Sequence, residues 1–290
     1  SIEWKKTNSS GYQVQYTLSD FEDETTNVET FKNKSTTEGE ISKLEKGKKY
    51  IFRIRTYYAK DKDVLYSEWS KTSSVTIKSN DYEIDPKKPM IALTFDDGPN
   101  YSTTKRILDV LDKYGARATF FMVGNRITGD NKKLVKRELK MGCELGNHTY
   151  NHEQYGSQVS KSNITKAIDV IKEVSGKAPT AFRCPGGEIT STIRGACDAP
   201  IFYWSVDTED WKTRNAKNTY KTVIKCAKDG DIVLMHDIYG PTADAVEKIV
   251  PKLLKKGFQL VTVSEMFEAK GIKLKDGHQY FSTTSKQNES

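Results

Sequence analysis

The chain has 290 residues, of which 36% are hydrophobic and 29% are charged, and its formal net charge at pH 7 is +7. This is the composition of a globular protein of about two domains, and no apolar run reaches the roughly 18 residues of a membrane-spanning helix. The 46 basic residues are interspersed with 39 acidic ones, so nucleic-acid binding is not expected. The chain opens inside what we expect to be a folded unit and shows no signal peptide, so we expect a processed form.

Residues 1–79 show the two-residue alternation of β-strands and are predicted to form a small all-β sandwich. The alternating runs are 12–16, 50–57 and 74–77. The segments 44–55 and 66–70 resemble the tyrosine-corner region and the approach to the last strand of fibronectin type III domains. This resemblance implies a spacer or positioning module, with carbohydrate or protein binding as the alternative. Residues 80–89 are polar, contain two prolines and are predicted to be a linker.

Beyond residue 90, short β-rich runs alternate with helical patterns. The predicted strands are 90–96, 117–123, 143–148, 180–184, 201–207, 231–236 and 258–263. The predicted helices are 103–114, 131–141, 160–175, 190–197, 216–228 and 242–256. This alternation implies parallel βαβ units, so we expect an α/β fold over 90–270, an incomplete (β/α) barrel of about seven strands, with an open doubly wound sheet as the alternative. Ser102 is predicted to cap the first helix, and 271–290 to be a polar tail.

The four cysteines, Cys143, Cys184, Cys197 and Cys226, show no C-x-x-C spacing, so a structural zinc site is not expected. Each is expected to be a small buried residue. One disulfide is the alternative for an exported protein, and the spacing does not specify the pair.

Functional side chains cluster where the predicted strands end. The residues at these positions are Asp96, Asp97, His148, His152, Arg183, Asp207, Asp210, Trp211 and His236. The remaining histidine, His278, lies in the predicted tail. Because parallel α/β folds carry their chemistry at the carboxyl ends of the strands, these residues are predicted to surround one site.

A metal ion would explain the two adjacent aspartates. His148 and His152 are four residues apart, so a helical turn would place both imidazoles on one face, where they could bind one ion. With one carboxylate they form a set typical of catalytic zinc, which keeps a position for water. Two ionised aspartates repel, and a cation on one of them leaves the other free as a base. Neighbours on a strand point to opposite sides, so a turn at 97–99 is predicted to bring both carboxylates together. The alternative is that Asp96 and Asp97 belong to a turn without chemistry.

Five motifs, in order along the chain, resemble those of the polysaccharide deacetylases with a NodB-homology domain, carbohydrate esterase family 4. They are residues 94–99, 148–152, 183–187, 207–211 and 234–236. The resemblance covers about 85–270. It implies a general base, Asp96, oriented by Arg183, and a general acid, His236, supported by Asp210. The implied metal ligands are Asp97, His148 and His152, and the implied groove residues are Pro185, Trp211 and Leu234.

The resemblance also implies a cofactor and a substrate. The cofactor is a divalent ion, zinc in the first place, with cobalt, nickel and manganese as alternatives for this ligand set. The activity is removal of N-acetyl groups from N-acetylglucosamine residues of a polysaccharide, first of all peptidoglycan, by a monomer at the cell wall or outside the cell. The alternatives are an O-acetyl esterase on xylan, a deacetylase of chitin, chitooligosaccharides or poly-N-acetylglucosamine, and a wall-binding protein with an inactive catalytic domain.

The third motif departs from the pattern of many relatives. Cys184 and Gly186 stand where those relatives have proline and tyrosine. The aromatic wall that the tyrosine supplies is therefore expected to be missing. Cys184, next to Arg183, is either an oxidation-sensitive thiol or an inert buried one.

Overall fold

A computed structural model describes residues 2–19, 21, 26–41, 44–45, 48–76 and 83–288. The chain divides into two compact units, Ser1–Tyr82 and Glu83–Ser290. Some parts of the sequence predictions lie outside the described residues: positions 46–47 of the segment 44–55, the end of the last N-terminal strand at 77, the first three residues of the linker at 80–82, and the tip of the tail at 289–290. None of the described helices is both long and apolar enough to cross a membrane.

The N-terminal unit consists of antiparallel strands. They are β1 (Ile2–Glu3), β2 (Gly11–Thr17), β3 (Asn27–Phe31), β4 (Glu38–Gly39), β5 (Lys49–Lys60), β6 (Asp63–Tyr66) and β7 (Ser73–Thr76). One sheet has the order β3-β2-β5-β6, with β7 also paired to β5, and β1 pairs with β4. Alternate residues of β2 and β5, including Val14, Tyr16, Tyr50 and Phe52, form its core. The hydroxyl of Tyr50 accepts a hydrogen bond from the backbone N–H of Glu45, at 3.1 Å, as a tyrosine corner requires. The likeness to fibronectin type III domains stays a prediction.

The second unit is built on a parallel sheet. Its strands are β8 (Met90–Asp96), β9 (Thr119–Met122), β10 (Glu144–Asn147), β11 (Ala181–Phe182), β12 (Ile201–Phe202), β13 (Val206–Asp207), β14 (Asp231–His236), β15 (Gln259–Leu260) and β16 (Gln279–Tyr280). The order is β13-β14-β8-β9-β10-β11-β12-β16, with β15 also paired to β8. Every residue of the central strand β8 is buried, as expected for a parallel strand covered on both faces.

Helices pack around this sheet. They are α1 (Thr103–Tyr114), α2 (Asn131–Lys140), α3 (Lys161–Ser175), α4 (Ser191–Ala196), α5 (Asp210–Thr213), α6 (Ala216–Cys226), α7 (Gly240–Lys255) and α8 (Val263–Ala269). Apolar residues at helical spacing on α1 and α7, such as Leu108, Leu111, Ile249 and Leu253, pack in one cluster with Phe95 and other strand residues. The predicted incomplete (β/α) barrel is confirmed, although the described part of the sheet has nine strands instead of about seven.

The strand predicted at 201–207 is two strands, β13 at one end of the sheet and β12 next to the strand at the other end. Strand β12 pairs with β11 and β16, whereas β13 pairs with β14. Between them, the N–H of Tyr203 donates to Tyr280 O and the N–H of Ser205 donates to Ile232 O. A three-residue connection spans at most about 14 Å, so the two ends of the sheet approach each other. Strands β12 and β13 do not pair, and the barrel is incomplete at this point.

Several predicted boundaries need correction. Ser102 does not cap α1, because its side chain makes no capping bond; the side chain of Asn100 accepts the N–H groups of Ser102 and Thr103 instead. The predicted linker is partly folded into the second unit, where Asp85 and Gln259 exchange two hydrogen bonds of 2.8 Å. The predicted tail contributes β16 to the sheet. The short α5 and α8 were not predicted.

Candidate active site

The carboxyl ends of the strands bring the predicted site residues to one edge of the sheet. In the ladder between β8 and β14, Asp96 lies opposite His236. His148 directly follows β10, and Arg183 directly follows β11. Asp210 begins α5, three residues after β13. These predicted site residues therefore lie at one edge of the sheet, and their roles in catalysis stay predictions.

A turn after β8 directs the second aspartate toward the same site as the first. Asp97 has a left-handed backbone (φ 75°), a conformation that is uncommon outside glycine. Arg126 holds this turn, with Nη1 donating to Asp97 O at 2.5 Å. Only glycine fits at position 98, because a Cβ there would collide with the carboxylate of Asp237. As a result, His148 Nε2 lies 3.9 Å from Asp96 Oδ2 and 3.6 Å from Asp97 Oδ1.

The two histidines meet without the helical turn that would have placed both imidazoles on one face. Thr149 and His152 both have left-handed backbones, with φ of 61° and 56°. Side chains stabilise this turn: Asn147 Oδ1 accepts the N–H of Thr149, and Thr149 Oγ1 accepts the N–H of His152. Potential ligand atoms of Asp97, His148 and His152 all lie within 4.8 Å of one another.

The electrostatics of His148 and Asp97 suit a bound cation, whereas the neighbouring Asp97 raises the pKa of His152. His148 Nδ1 is 2.7 Å from Arg183 O and donates to it, so Nε2 keeps its lone pair. Burial lowers the pKa of His148, which favours the neutral imidazole that a metal ion needs. Burial raises the pKa of Asp97, but the neighbouring His152 and His148 lower it by more, so the net pKa lies below its ordinary value.

One buried oxygen in this set has ion-pair contacts with both histidines but no well-oriented hydrogen bond. Asp97 Oδ1 is buried and accepts no well-oriented hydrogen bond, although His152 Nε2 lies only 3.0 Å away. One carboxylate oxygen and two imidazole nitrogens that converge at these distances match the donor set of catalytic zinc sites. The three residues therefore fit a divalent metal ion.

Arg183 fixes the carboxylate of Asp96. The guanidinium is 1% exposed and its Nη1 donates to Asp96 Oδ1 and to Thr94 Oγ1, each at 2.7 Å. Its other nitrogens donate to Phe202 O and Tyr203 O. Thr94 was inside the first motif but had no predicted role. Asp96 is thus a carboxylate that Arg183 holds in place beside the candidate metal ligands.

Asp210 holds His236 in a charged and fixed state. It is 1% exposed and accepts four hydrogen bonds. The donors are His236 Nδ1 at 2.8 Å, the N–H of His236 at 2.9 Å, the N–H of Trp211 at 2.9 Å and Thr242 Oγ1 at 2.6 Å. Burial lowers the pKa of His236, but the bond to Asp210 and the charges of Asp96, Asp210 and Asp97 raise it to about 9. Thr242 was not predicted because α7 carries no motif.

The three predicted groove residues differ in accessibility. Pro185 is buried in a 3-10 turn, Pro185–Gly187, and Leu234 is buried opposite Thr94 in the sheet. Trp211 is 47% exposed on α5 and has the surface to contact a ligand. Tyr239, which was not predicted, lies with its ring centroid 5.7 Å from that of His236. Its only sequence signal is its position three residues after the fifth motif.

The cysteines take no part in this chemistry. All four are free, and Cys226 is exposed, contrary to the expectation of burial. The Sγ of Cys184 donates to Glu188 O, and burial raises the pKa of its thiol to about 12. A raised pKa disfavours the reactive thiolate, so the structure favours the inert buried thiol of the two alternatives for Cys184.

Known proteins are similar to this chain in sequence. Residues 83–199 match the family model described as polysaccharide deacetylase. The chain is 40% identical over 215 residues to the peptidoglycan-N-acetylmuramic acid deacetylase PdaC of Bacillus subtilis (strain 168), with 73% of this chain and 46% of PdaC covered. It is 42% identical over 197 residues to the peptidoglycan-N-acetylglucosamine deacetylase PgdA of Listeria monocytogenes (serotype 1/2a, strain 10403S), with 67% of this chain and 41% of PgdA covered. It spans less than half the length of these two curated relatives.

Two solved structures extend the comparison to the fold. The structure of PdaC from Bacillus subtilis is similar with a TM-score of 0.62 and 43% identity, covering 65% of this chain and 94% of that chain. A family 4 acetyl xylan esterase from Clostridium thermocellum, solved with a cobalt ion, has a TM-score of 0.63 and 32% identity, covering 68% of this chain and 100% of that chain.

Proposed function

This chain belongs to the polysaccharide deacetylase family, and on that premise we propose that it is a metal-dependent hydrolase that removes N-acetyl groups from the amino sugars of peptidoglycan. The proposal rests on one observation: three groups of side chains meet at the same edge of the sheet. These are the metal-ligand set of Asp97, His148 and His152, the Asp96–Arg183 pair and the His236–Asp210 pair.

Zinc is the ion that we propose for the ligand set, with cobalt, nickel and manganese as alternatives. Two imidazoles and one carboxylate are the donors of many catalytic zinc sites. Other first-row divalent ions can bind the same donors, and the supply of each metal helps to decide which ion occupies the site. When bound, the ion supplies Lewis acidity, which polarises an acetyl carbonyl and makes water more acidic. The convergence of Asp97 Oδ1 with the imidazoles of His148 and His152 supports its role as a ligand rather than as a second base.

Asp96 is the proposed general base. Amide hydrolysis requires that the attacking water lose a proton, and an ionised carboxylate within the site can accept it. The 2.7 Å bond from Arg183 engages Oδ1 of Asp96, while Oδ2 faces His148 at 3.9 Å. Oδ2 is therefore the oxygen of Asp96 that we expect to take the proton.

His236 is the proposed general acid. The amine is a poor leaving group unless its nitrogen is protonated, so the site must hold a proton near it. With a pKa of about 9, His236 carries that proton at neutral pH. Asp210 binds Nδ1, which leaves Nε2–H as the donor. Trp211, Leu234 and Pro185 are the proposed walls of the groove that holds the sugar and the acetyl methyl group.

We place this activity at the cell wall, because the named activities of the two curated relatives are on peptidoglycan. A second candidate is O-deacetylation of xylan, which is favoured by the similarity to the whole length of the acetyl xylan esterase. An ester leaving group needs less protonation than an amine, so the same site could serve both reactions.

The test is a comparison of substrates with one enzyme preparation. The protein is stripped with a chelator, reloaded with zinc, and incubated with peptidoglycan glycan strands, chitooligosaccharides and acetylated xylan. Acetate is assayed, and mass spectrometry of the glycans measures the loss of acetyl groups. We expect acetate from the amino-sugar glycans only after zinc is restored, and none with Asp96→Asn. Release from xylan alone would favour the esterase, and no release from any glycan would indicate an inactive domain.

A further inference from the structure

A guanidinium group with free donors lies at the rim of the proposed site. Arg214 follows α5, the short helix that carries Asp210 and Trp211. Its backbone is left-handed, with φ of 45°, a conformation that costs a bulky residue about 1 kcal/mol or more. The N–H of Arg214 donates to Asp210 O, and its Nε donates to Trp211 O at 2.7 Å. The side chain is thus anchored by the residues that support and border the general acid.

The guanidinium is stacked on an aromatic ring beside that acid. The Cζ atom of Arg214 lies 3.4 Å from the ring centroid of Tyr239, and the Tyr239 ring lies 5.7 Å from that of His236. Stacking fixes the plane of the guanidinium and leaves its edge open. Within the described part of the chain, Nη1 and Nη2 of Arg214 have no hydrogen-bond acceptor.

Other charged groups in the neighbourhood already have partners. Lys212, on the same helix, pairs with Glu209 at 3.3 Å. Arg183 is bound to Asp96, and His236 to Asp210. Arg214 is therefore an oriented cation whose fork matches the two oxygens of a carboxylate.

We propose that Arg214 binds a carboxylate of the substrate, so that the preferred glycan contains an amino sugar with an acidic ether substituent, as N-acetylmuramic acid does. This inference rests on the proposed function. In such a sugar the ether oxygen is on the carbon next to the one that bears the acetamido nitrogen. The proposed proton donor to this nitrogen is His236, whose ring lies 5.7 Å from the Tyr239 ring on which Arg214 is stacked, and we place the carboxylate on that side. A neutral chitooligosaccharide offers Arg214 no such partner.

The experiment combines variants of the protein with modified substrates. The variants are Arg214→Ala, Arg214→Lys and, as a matched control on the same helix, Lys212→Ala. The substrates are glycan strands freed of stem peptides, the same strands with their carboxyl groups methyl-esterified, and a chitooligosaccharide of similar length. Initial rates give kcat and KM for each pair.

We expect Arg214→Ala to lower kcat/KM on the acidic strands by about 10- to 100-fold, the range for losing hydrogen bonds to a charged group. The loss should be mostly in KM. On esterified strands and chitooligosaccharides, Arg214→Ala and the original protein should agree within about twofold. Arg214→Lys should recover part of the loss, because it restores the charge but not the fork. Lys212→Ala should behave as the original protein on all three substrates.

Two failures are distinguishable. If the zinc-loaded original protein releases acetate from all three glycans and Arg214→Ala lowers each rate equally or not at all, the carboxylate proposal is overturned and the deacetylase function stands. If the original protein prefers esterified over acidic strands, the proposal is likewise overturned. If no glycan loses acetate, the proposed function fails, and this inference fails with it.

Discussion

Replacing Asp210 with asparagine should lower the pKa of His236, the proposed general acid, so that His236 is mostly unprotonated near neutral pH. The pKa of His236 is about 9, and the hydrogen bond to Asp210 is the largest contribution that raises it, against the lowering effect of burial. Asparagine keeps the shape of the side chain but removes its charge. We expect the pKa of His236 to fall to about its ordinary 6.5 or below, because Asp96 and Asp97 alone then oppose burial.

The size of the effect follows from the shift. One pKa unit is about 1.4 kcal/mol, so the change from about 9 to 6.5 removes about 3 kcal/mol of preference for the imidazolium. At pH 7.5 the protonated fraction of His236 then falls from nearly all to about one tenth. The amide can also present N–H to Nδ1 and misorient the ring, so we expect kcat to fall by about 100-fold or more.

The assay is the pH profile of kcat/KM on a chitooligosaccharide. The protonated His236 is the active form, so activity is lost as pH rises through its pKa. The alkaline limb should lie near pH 9 in the original protein and near pH 6.5 in Asp210→Asn. Glu209→Gln is the matched control, because this exposed neighbour loses the same charge but contacts Lys212. Metal content should be unchanged in both variants, and thermal unfolding checks that each variant is folded at the assay temperature. An alkaline limb that stays in place in Asp210→Asn would refute His236 as the titrating acid.

Four further outcomes are expected. Asp96→Asn should retain zinc by elemental analysis yet lose turnover by about 100-fold or more; substantial remaining turnover would exclude it as the base. His152→Ala should lower the zinc content, and undiminished zinc would remove it from the ligand set. His236→Ala should slow amide hydrolysis far more than hydrolysis of an activated acetate ester, and equal losses would contradict its role as acid. Glu138 is fully buried, and neither of its carboxylate oxygens has a hydrogen-bond partner. Burial makes the largest contribution to raising its pKa, and the charge of Asp237 adds to it. The folded protein therefore loses stability as pH rises above 4.5, the ordinary pKa of a glutamate, because the unfolded chain releases this proton first. Glu138→Met should raise the free energy of unfolding by about 1–3 kcal/mol at pH 8 and by less at pH 5. Thermal melts at the two pH values check this.

The sequence determined the order of the elements in the second unit. A buried parallel strand such as β8 has an unbroken apolar run, and a helix such as α1 has apolar residues every three or four positions. These are local signals. They sufficed to predict a barrel-like α/β fold and to place Asp96, His148 and His236 at strand ends, because the ends of parallel strands share one edge.

The tertiary structure decided how these residues meet. The turn at Asp97 and the turn at 148–152 contain residues with left-handed backbones. Nothing in the residue types demands this conformation, which contacts with the surrounding residues stabilise. Likewise, β12 and β13 separate because Tyr203 and Ser205 find acceptors on different strands. Short apolar runs do not reveal which neighbour each will pair with.

Long-range contacts also complete the chemistry. Arg183 meets Asp96 across 87 residues, and Thr242 meets Asp210 across 32. The stacking of Arg214 on Tyr239 likewise joins α5 to the residues that follow β14. The sequence specified the reactive groups and the strand ends that carry them. Only packing between distant segments set their distances, burial and pKa values, because those depend on neighbours that sequence spacing does not define.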